Sequence, residues 1–219
     1  MIHNTSKLHL DILDDTRQEL LQKLIPQTQD FVLGGGTGLS LQIAHRLSYD
    51  FDFFSEQPIP KNFLEKISQV IQIKEVAIDS SDELTFFDTN NVKCTFLYYY
   101  FKPHFGTIKA SNGMRIFSVQ EIAIKKAYTI GRRGAYRDYF DLYTILKNEH
   151  ITLKEIIVIA EDVYKALFNS KLFLEQLVYF KDLPDFDIES VGNASIPTPE
   201  TIKQYLEDIV ATYLEISSK

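Results

Sequence analysis

The stretch GGGTGLSLQIAHRLSYDFDFF, residues 34–54, opens with three glycines and ends with two aspartates among phenylalanines. The apolar run before it, residues 31–33, is typical of a strand, and the apolar spacing after Thr37 is typical of a helix. Such a turn presents backbone N–H groups that suit a phosphate oxygen. Gly35 and Gly36 would let the phosphate approach, and Thr37 would cap the helix. Taken alone, the run favours a plain tight turn, since no P-loop or G-x-G-x-x-G pattern is present.

The two aspartates, Asp50 and Asp52, alternate with Phe51 and Phe53, which predicts a strand. Residues i and i+2 of a strand point to the same face, so we expect both carboxylates on one side and both rings in the core. A divalent cation would relieve the repulsion between the carboxylates, and Mg²⁺ prefers such ligands together with phosphate oxygens. The alternative is a solvated strand face. Only a helix and a returning strand separate the glycines from the two aspartates, so we expect the phosphate-binding turn to lie beside the metal-binding aspartates. Enzymes of phosphoryl or nucleotidyl transfer have this arrangement.

Two polar residues, Arg46 and Ser48, lie between these motifs. The planar guanidinium of Arg46 would clamp a triphosphate. The alternative is a solvent-facing cation that interacts with the end of the helix dipole. The sequence leaves both interpretations open.

The bulk composition limits the classes of protein to consider. The chain has 219 residues, 45% of them hydrophobic, and a formal net charge of -7. This negative charge argues against binding of nucleic acid through an overall positive field. A single cysteine, Cys94, excludes an intrachain disulfide and fits a reducing compartment. No secretory signal is apparent, and no apolar run approaches the roughly 18 residues that would span a bilayer. We expect a cytoplasmic protein with no membrane association.

The coarse pattern predicts an α+β fold, with a mixed sheet in the N-terminal part and helices in the C-terminal part. We expect a division into residues 1–117 and 118–219, or one continuous domain. The segment LTFFDTNNVKCTFLYYYF, residues 84–101, reads as a hairpin that turns at Asn90 and Asn91. Helices are expected at residues 6–26, 61–73, 152–168, 171–180 and 199–216, and a helical region is expected at 118–147 that the glycines at 131 and 134 divide into two helices.

A second block, IKKAYTIGRRGAYRDYFDLYTIL at residues 124–146, holds the densest positive charge of this acidic chain. Lys126, Arg133 and Arg137 would share a face if one helix ran through the block, although its glycines put that continuity in question. Asp138 and Asp141 would be neighbours on a helix. The block reads either as a salt-bridged helix pair at the surface or as a second wall that binds phosphates.

These two blocks together resemble the AbiEii/AbiGii-type nucleotidyltransferase-like toxins of the DNA polymerase β-like nucleotidyltransferase superfamily. The first block supplies a glycine pair, a hydroxyl residue, a helix, then Arg, Ser and D-x-D before an aromatic. The second supplies a lysine, then Arg-Gly, then a basic residue with two aspartates. The matching residues are Gly35, Gly36, Thr37, Arg46, Ser48, Asp50, Asp52, Phe53, Lys126, Arg133, Gly134, Arg137, Asp138, Asp141 and Leu142.

The resemblance implies a nucleotidyltransferase-fold core with flanking helices, and transfer of an NMP from an NTP to an RNA acceptor, such as tRNA, or to a protein acceptor. It implies an antitoxin partner and Mg²⁺, or Mn²⁺, held by Asp50 and Asp52. The glycine turn with Arg46, Ser48, Arg133 and Arg137 would bind the nucleotide. It also implies that Lys126 binds the triphosphate, and that Asp138 or Asp141 orients a cation or acts as a base. The expected catalytic residues are Asp50, Asp52, Lys126, Asp138 and Asp141.

One departure concerns the third acidic residue that such enzymes commonly carry on a later strand. The position that aligns with it here is the neutral Thr95, and Asp88 lies across the predicted turn. Two functions therefore compete: an active nucleotidyltransferase toxin, and a catalytically weakened nucleotide-binding module. A scaffold with solvent-facing aspartates is the third alternative, and it leaves the spacing of the two blocks unexplained.

Overall fold

The computed structural model describes residues 8–130, 132–183 and 185–217. The chain divides into two compact units, Met1–Ser118 and Val119–Lys219. All strands of the described residues lie in the first unit, and the described part of the second unit contains helices and loops only. The predicted α+β fold class is confirmed.

The first unit is built on one mixed sheet of seven strands in the order β3-β4-β5-β2-β1-β7-β6. The pairs β1–β7 and β2–β5 are parallel, and the other four pairs are antiparallel. The strands are β1 (Val32–Leu33), β2 (Phe51–Ser55), β3 (Ile73–Asp79), β4 (Glu83–Asp88), β5 (Lys93–Tyr98), β6 (Thr107–Lys109) and β7 (Arg115–Phe117).

One face of this sheet forms the core of the first unit. Phe51, Phe53 and Phe96 are almost fully buried, and the rings of Phe53 and Phe96 stack 5.0 Å apart across the β2–β5 pair. Their alternation along β2 and β5 therefore fixes which side of each strand carries the polar residues. Helix α1 (Asp15–Leu24) contributes three buried leucines to the core, and helices α2 (Gly35–Ile43) and α3 (Phe63–Ser68) complete the unit.

The second unit is a group of packed helices. They are α4 (Val119–Ile130), α5 (Tyr136–Lys147), α6 (Leu153–Tyr164), α7 (Ser170–Leu177) and α8 (Pro199–Ser217). Helix α4 packs on α5, α6 and α7, while α5, α6 and α7 each contact α8. Helix α6 begins with a capping box between Thr152 and Glu155, which satisfies two N–H groups of its first turn.

The structure differs from the sequence-based prediction at several elements. The expected helix at 6–26 is shorter: α1 starts after Asp14, whose carboxylate accepts the N–H of Arg17 at 2.9 Å, and residues 6 and 7 lie outside the described part. The helix expected up to residue 73 ends at Ser68. Strands β3, β6 and β7 have no counterpart in the prediction. None of the described helices is long and apolar enough to cross a bilayer.

Candidate functional site

The glycine turn joins β1 directly to α2. Gly34 occupies the N-cap position, and its N–H donates to the carbonyl oxygen of Asp52 at 2.9 Å across the β1–β2 pair. Gly35 has φ +61°, a left-handed conformation that favours glycine. The first turn of α2 thus begins beside the aspartate strand, with its N-terminal N–H groups lacking intrahelical acceptors. Sequence reasoning omitted Gly34, although a run of three glycines was the available signal.

The two other glycines, Gly35 and Gly36, bring side chains of this unit against the backbone. A Cβ on Gly35 would overlap the carboxylate of Asp52. A Cβ on Gly36 would overlap the guanidinium of Arg46 and lie 2.9 Å from Oγ of Ser48. On the side where a Cβ would project, the space beside these two glycines is therefore occupied by Asp52, Arg46 and Ser48. The glycines are required because these groups lie so close.

Two hydroxyl groups, of the buried Thr37 and the half-buried Ser48, link the helix to the aspartate segment. Oγ1 of Thr37 lies 2.9 Å from Oγ of Ser48 and donates to the carbonyl oxygen of Asp50 at 2.5 Å. Thr37 is 1% exposed and lies inside α2. The predicted helix-capping role of Thr37 is wrong, because the backbone of Gly34 already occupies the cap. The hydroxyl instead fixes the position of residue 50.

The guanidinium of Arg46 is enclosed by the site. Helix α2 ends at Ile43, and its C-cap residue Ala44 has φ 49°. The chain then turns back, and Arg46 is only 4% exposed. Its Nη1 donates to the carbonyl oxygen of Leu47 at 2.9 Å, and its Nη2 lies against Gly36. The solvent-facing alternative for Arg46 is therefore wrong. A buried guanidinium beside a helix N-terminus raises the positive potential of the turn.

The two aspartates differ in their surroundings. Asp52 is half-buried on β2, whereas Asp50 precedes the strand and is exposed. Asp52 lies directly opposite Thr95 in the parallel β2–β5 pair. Burial raises the pKa of the neighbouring Cys94 thiol, and the carboxylates of Asp88, Asp50 and Asp52 raise it further. Three carboxylates therefore lie close enough to the Cys94 thiol to act on its pKa.

The position expected for a third carboxylate belongs to Thr95. Its Oγ1 is buried and has no hydrogen-bond partner among the described residues, although it stands beside Asp52. Asp88 does not substitute, because its Oδ1 accepts the N–H groups of Asn90 and Val92 at 2.9 and 2.8 Å and so closes the β4–β5 turn. No group of three His, Cys, Asp or Glu residues within the described ranges is placed to hold a metal ion. The donor set fits a Mg²⁺ ion only if nucleotide phosphates complete its coordination.

In the second unit, Lys126 forms a buried ion cluster with two aspartates. Its Nζ lies 2.6 Å from Oδ1 of Asp138 and 2.5 Å from Oδ2 of Asp141, and all three side chains are at most 7% exposed. The cluster links α4 to α5. The ammonium is therefore held by carboxylates of its own unit.

The arginines of the same block lie outside that buried cluster. Arg133 binds Asp138 through Nε and Nη2 at 2.9 and 3.1 Å, while its side chain remains 64% exposed. Burial alone would raise the pKa of Asp138, but Lys126 and Arg133 together hold that pKa below its usual range. Arg137 is exposed on α5. Lys126, Arg133 and Arg137 do not share one helix, because α4 ends at Ile130 and α5 begins at Tyr136; Gly131 lies outside the described residues.

Comparison with known proteins confirms the resemblance stated from the sequence. Residues 19–102 match the family described as nucleotidyl transferase AbiEii toxin of a type IV toxin–antitoxin system. This range includes the glycine turn and both aspartates, and it ends before Lys126. The matched family is one of nucleotidyltransferase toxins.

Similar individual proteins cover most of the chain. An uncharacterised protein of Aquifex aeolicus is 28% identical over 209 residues, which are 93% of this chain and 98% of the relative. The structure of MenT4, a nucleotidyltransferase toxin of Mycobacterium tuberculosis, has a TM-score of 0.60 at 16% identity. The match covers 90% of this chain and 81% of the MenT4 chain. The structure of JHP933 from Helicobacter pylori is 19% identical, with a TM-score of 0.48. The match covers 92% of this chain and 94% of JHP933. The likeness to MenT4 shows the fold.

Proposed function

We propose that this chain is a nucleotidyltransferase toxin that moves an NMP from an NTP to an RNA or protein acceptor and is neutralised by an antitoxin. The observation that carries the proposal is the convergence of the glycine turn, the Asp52 carboxylate and the buried Arg46 guanidinium at one end of the first unit. The matched family range contains all of these residues.

In the proposed reaction, an acceptor hydroxyl oxygen attacks the α-phosphorus of the NTP. A new P–O bond forms, the bond to the β-phosphate oxygen breaks, pyrophosphate leaves with the bonding electrons, and the hydroxyl proton passes to water. The N–H groups at the start of α2 would bind phosphate oxygens, and Arg46 behind Gly36 would favour that negative charge. Asp50 and Asp52 would hold Mg²⁺, or Mn²⁺ in its place, which when bound neutralises phosphate charge.

For the second unit we propose a division of roles. The ammonium group of Lys126 forms ion pairs with Asp138 and Asp141. Lys126 therefore acts as a positioning residue that holds α4 against α5. Arg133 and Arg137 are exposed and are the candidates for phosphate contact. Asp138 would orient Arg133, which it already binds through two nitrogens.

The test is transfer of label by the purified chain. It would be incubated with Mg²⁺, each NTP labelled at the α-phosphate, and either total RNA or an RNA-free lysate. We expect label in one acceptor fraction with the native chain and none with Asp52→Asn. Asp79→Asn, an exposed change on β3 of the same unit, should retain transfer. Absence of label with every NTP, together with unchanged growth inhibition by Asp52→Asn in cells, would refute the proposal.

A second candidate function, nucleotide binding without turnover, is favoured by Thr95. With a neutral residue opposite Asp52, binding of Mg²⁺ depends on phosphate oxygens rather than on protein carboxylates alone. A Tm increase with NTP and Mg²⁺ would report binding. If that increase occurs while no pyrophosphate is released, the second candidate replaces the first.

A further inference from the structure

The first unit contains a cavity of about 570 Å³ that the proposed catalytic groups do not occupy. It opens where β1 starts and β2 ends. Its lining includes the rings of Phe54, Tyr99, Phe101 and Phe117, together with Arg115. The volume is typical of a small-molecule site and exceeds what one nucleobase needs.

The cavity lies on the aspartate side of β2. Asp52 and Phe54 are two residues apart on one strand, so their side chains share a face about 7 Å apart along it. The rings of Phe54 and Phe117 also border the glycine turn, 2.8 and 3.0 Å from the position that a Cβ on Gly34 would take. A molecule in the cavity is therefore adjacent to the turn proposed to hold the NTP phosphates.

Three of the aromatic rings that line the cavity are only partly buried. Phe54, Tyr99 and Phe101 are each half-buried, whereas the core rings of Phe51 and Phe53 are at most 1% exposed. The ring of Tyr99 stands edge-on to those of Phe54 and Phe101, with centroids 5.7 and 5.2 Å apart. Half-buried rings that line an opening offer π-faces on which a planar base can stack.

The charge of the cavity favours an anion at its half-buried wall. The main chain of Arg115 pairs with Lys109 in the β6–β7 pair, but its half-buried side chain makes no hydrogen bond or ion pair to any residue within the described ranges. The acidic lining residues, Asp30 and Glu56, are exposed at the rim. A guanidinium partly removed from water without a counter-charge is stabilised by a phosphate, which it binds through two nitrogens.

We propose that this cavity binds one unpaired nucleotide of an RNA acceptor, its base against the rings of Tyr99 and Phe101 and its phosphate on Arg115. The inference rests on the proposed nucleotidyl transfer and selects RNA over protein as the acceptor. The NTP itself is assigned to the glycine turn, so the cavity receives the other substrate.

The experiment measures binding without NTP. A short single-stranded RNA carrying 2-aminopurine is titrated with the chain, which contains no tryptophan, and base stacking is followed by fluorescence quenching. Tyr99→Leu and Arg115→Gln should each weaken binding about tenfold, the size of one lost stacking or phosphate contact. Tyr99→Phe keeps the ring and should bind as the native chain does. This conservative variant separates a loss of stacking from a loss of folding.

The matched control is the exposed neighbour Lys102→Gln, which does not line the cavity and should leave affinity unchanged. Equal binding by the native chain, Tyr99→Leu and Arg115→Gln would overturn the inference, as would RNA transfer that these variants leave intact. Cavity-dependent RNA binding in a chain that transfers no label would instead refute the proposed function alone. Label transferred to protein but not to RNA would overturn the inference and leave nucleotidyl transfer standing.

Discussion

Residue 35 must be glycine for two separable reasons. Its φ of +61° disfavours any side chain, and a Cβ there would displace the carboxylate of Asp52. We expect Gly35→Ala to lower stability by about 1–3 kcal/mol and to abolish NTP binding. Gly106→Ala is the control, because φ is +71° at Gly106 and nothing lies within 4 Å of its Cβ position. Urea unfolding measures the loss of stability, and the Tm shift on adding NTP measures binding. Retained NTP binding by Gly35→Ala would contradict the role given to the turn.

Residue 95 determines how many carboxylates meet at the start of β2 and β5. Thr95→Asp would place a third carboxylate opposite Asp52 at a position that is 5% exposed. Without divalent cations we expect a loss of about 2 kcal/mol from burial and like-charge repulsion. Millimolar Mg²⁺ or Mn²⁺ should restore stability to this variant and leave the native chain unchanged in the absence of NTP.

The neutral variant Thr95→Asn is the matched control for that substitution. Its amide has nearly the size of the carboxylate, so it separates charge from volume. A metal-dependent Tm shift equal in Thr95→Asn and Thr95→Asp would show that the third position is unrelated to cation binding.

At the scale of elements, a buried ion cluster joins α4 to α5 in the second unit. Removing one partner of a buried ion pair leaves an uncompensated charge, so Asp138→Asn should cost about 3 kcal/mol at neutral pH. The folded-state pKa of Asp138 is lowered, so its stabilising contribution is complete above the unfolded pKa of about 4 and decreases as pH falls toward the folded value.

The measurement for that cluster is urea unfolding across the acid range. The native chain should lose stability below about pH 4 more steeply than Asp138→Asn does. Asp162→Asn, which removes an exposed ion pair with Lys165, should follow the native curve. Parallel curves for the native chain and Asp138→Asn would mean that Asp138 does not titrate as an ion-paired group.

The elements recovered from the sequence are those whose residues carry strong local patterns. The alternation of Phe51 and Phe53 with charged residues predicted β2 because one of its faces is buried and the other polar. Strand β3 escaped prediction because all but its first residue are exposed, so its pairing with β4 leaves no apolar alternation. Strands β6 and β7 have three residues each, too few for a period to be read.

The roles of the site residues stay predictions, but part of their arrangement is observed. The sequence spacing predicted that the glycine turn and the aspartate strand meet, and Gly35 lies against the carboxylate of Asp52. The spacing gave no sign that the guanidinium of Arg46 would lie behind Gly36, because that depends on how the chain turns after Ala44. The cavity beside Phe54 was equally unreadable, since its lining comes from segments far apart in the chain.

For the whole molecule, the net charge of -7 means that the proposed RNA acceptor would be held by local contacts rather than by a general positive field. Binding of single strands weakens with salt by a slope of about 0.7 per neutralised phosphate. The cavity lining contains two cations, the exposed Lys66 and the half-buried Arg115, and the proposal assigns one phosphate contact, to Arg115. Affinity for the oligonucleotide should therefore fall only about threefold between about 50 and about 200 mM salt. Titrations at several salt concentrations measure this slope.

Arg115→Gln tests where the salt dependence originates. Because the variant removes the single proposed phosphate contact, its affinity should be both lower and nearly independent of salt, whereas Lys102→Gln should keep the native slope. A native slope several times steeper, unaffected by Arg115→Gln, would place most phosphate contacts elsewhere on the chain. The recognition would then depend on an extended basic surface and not on the aromatic cavity, and the acidic balance of the chain would need a different explanation.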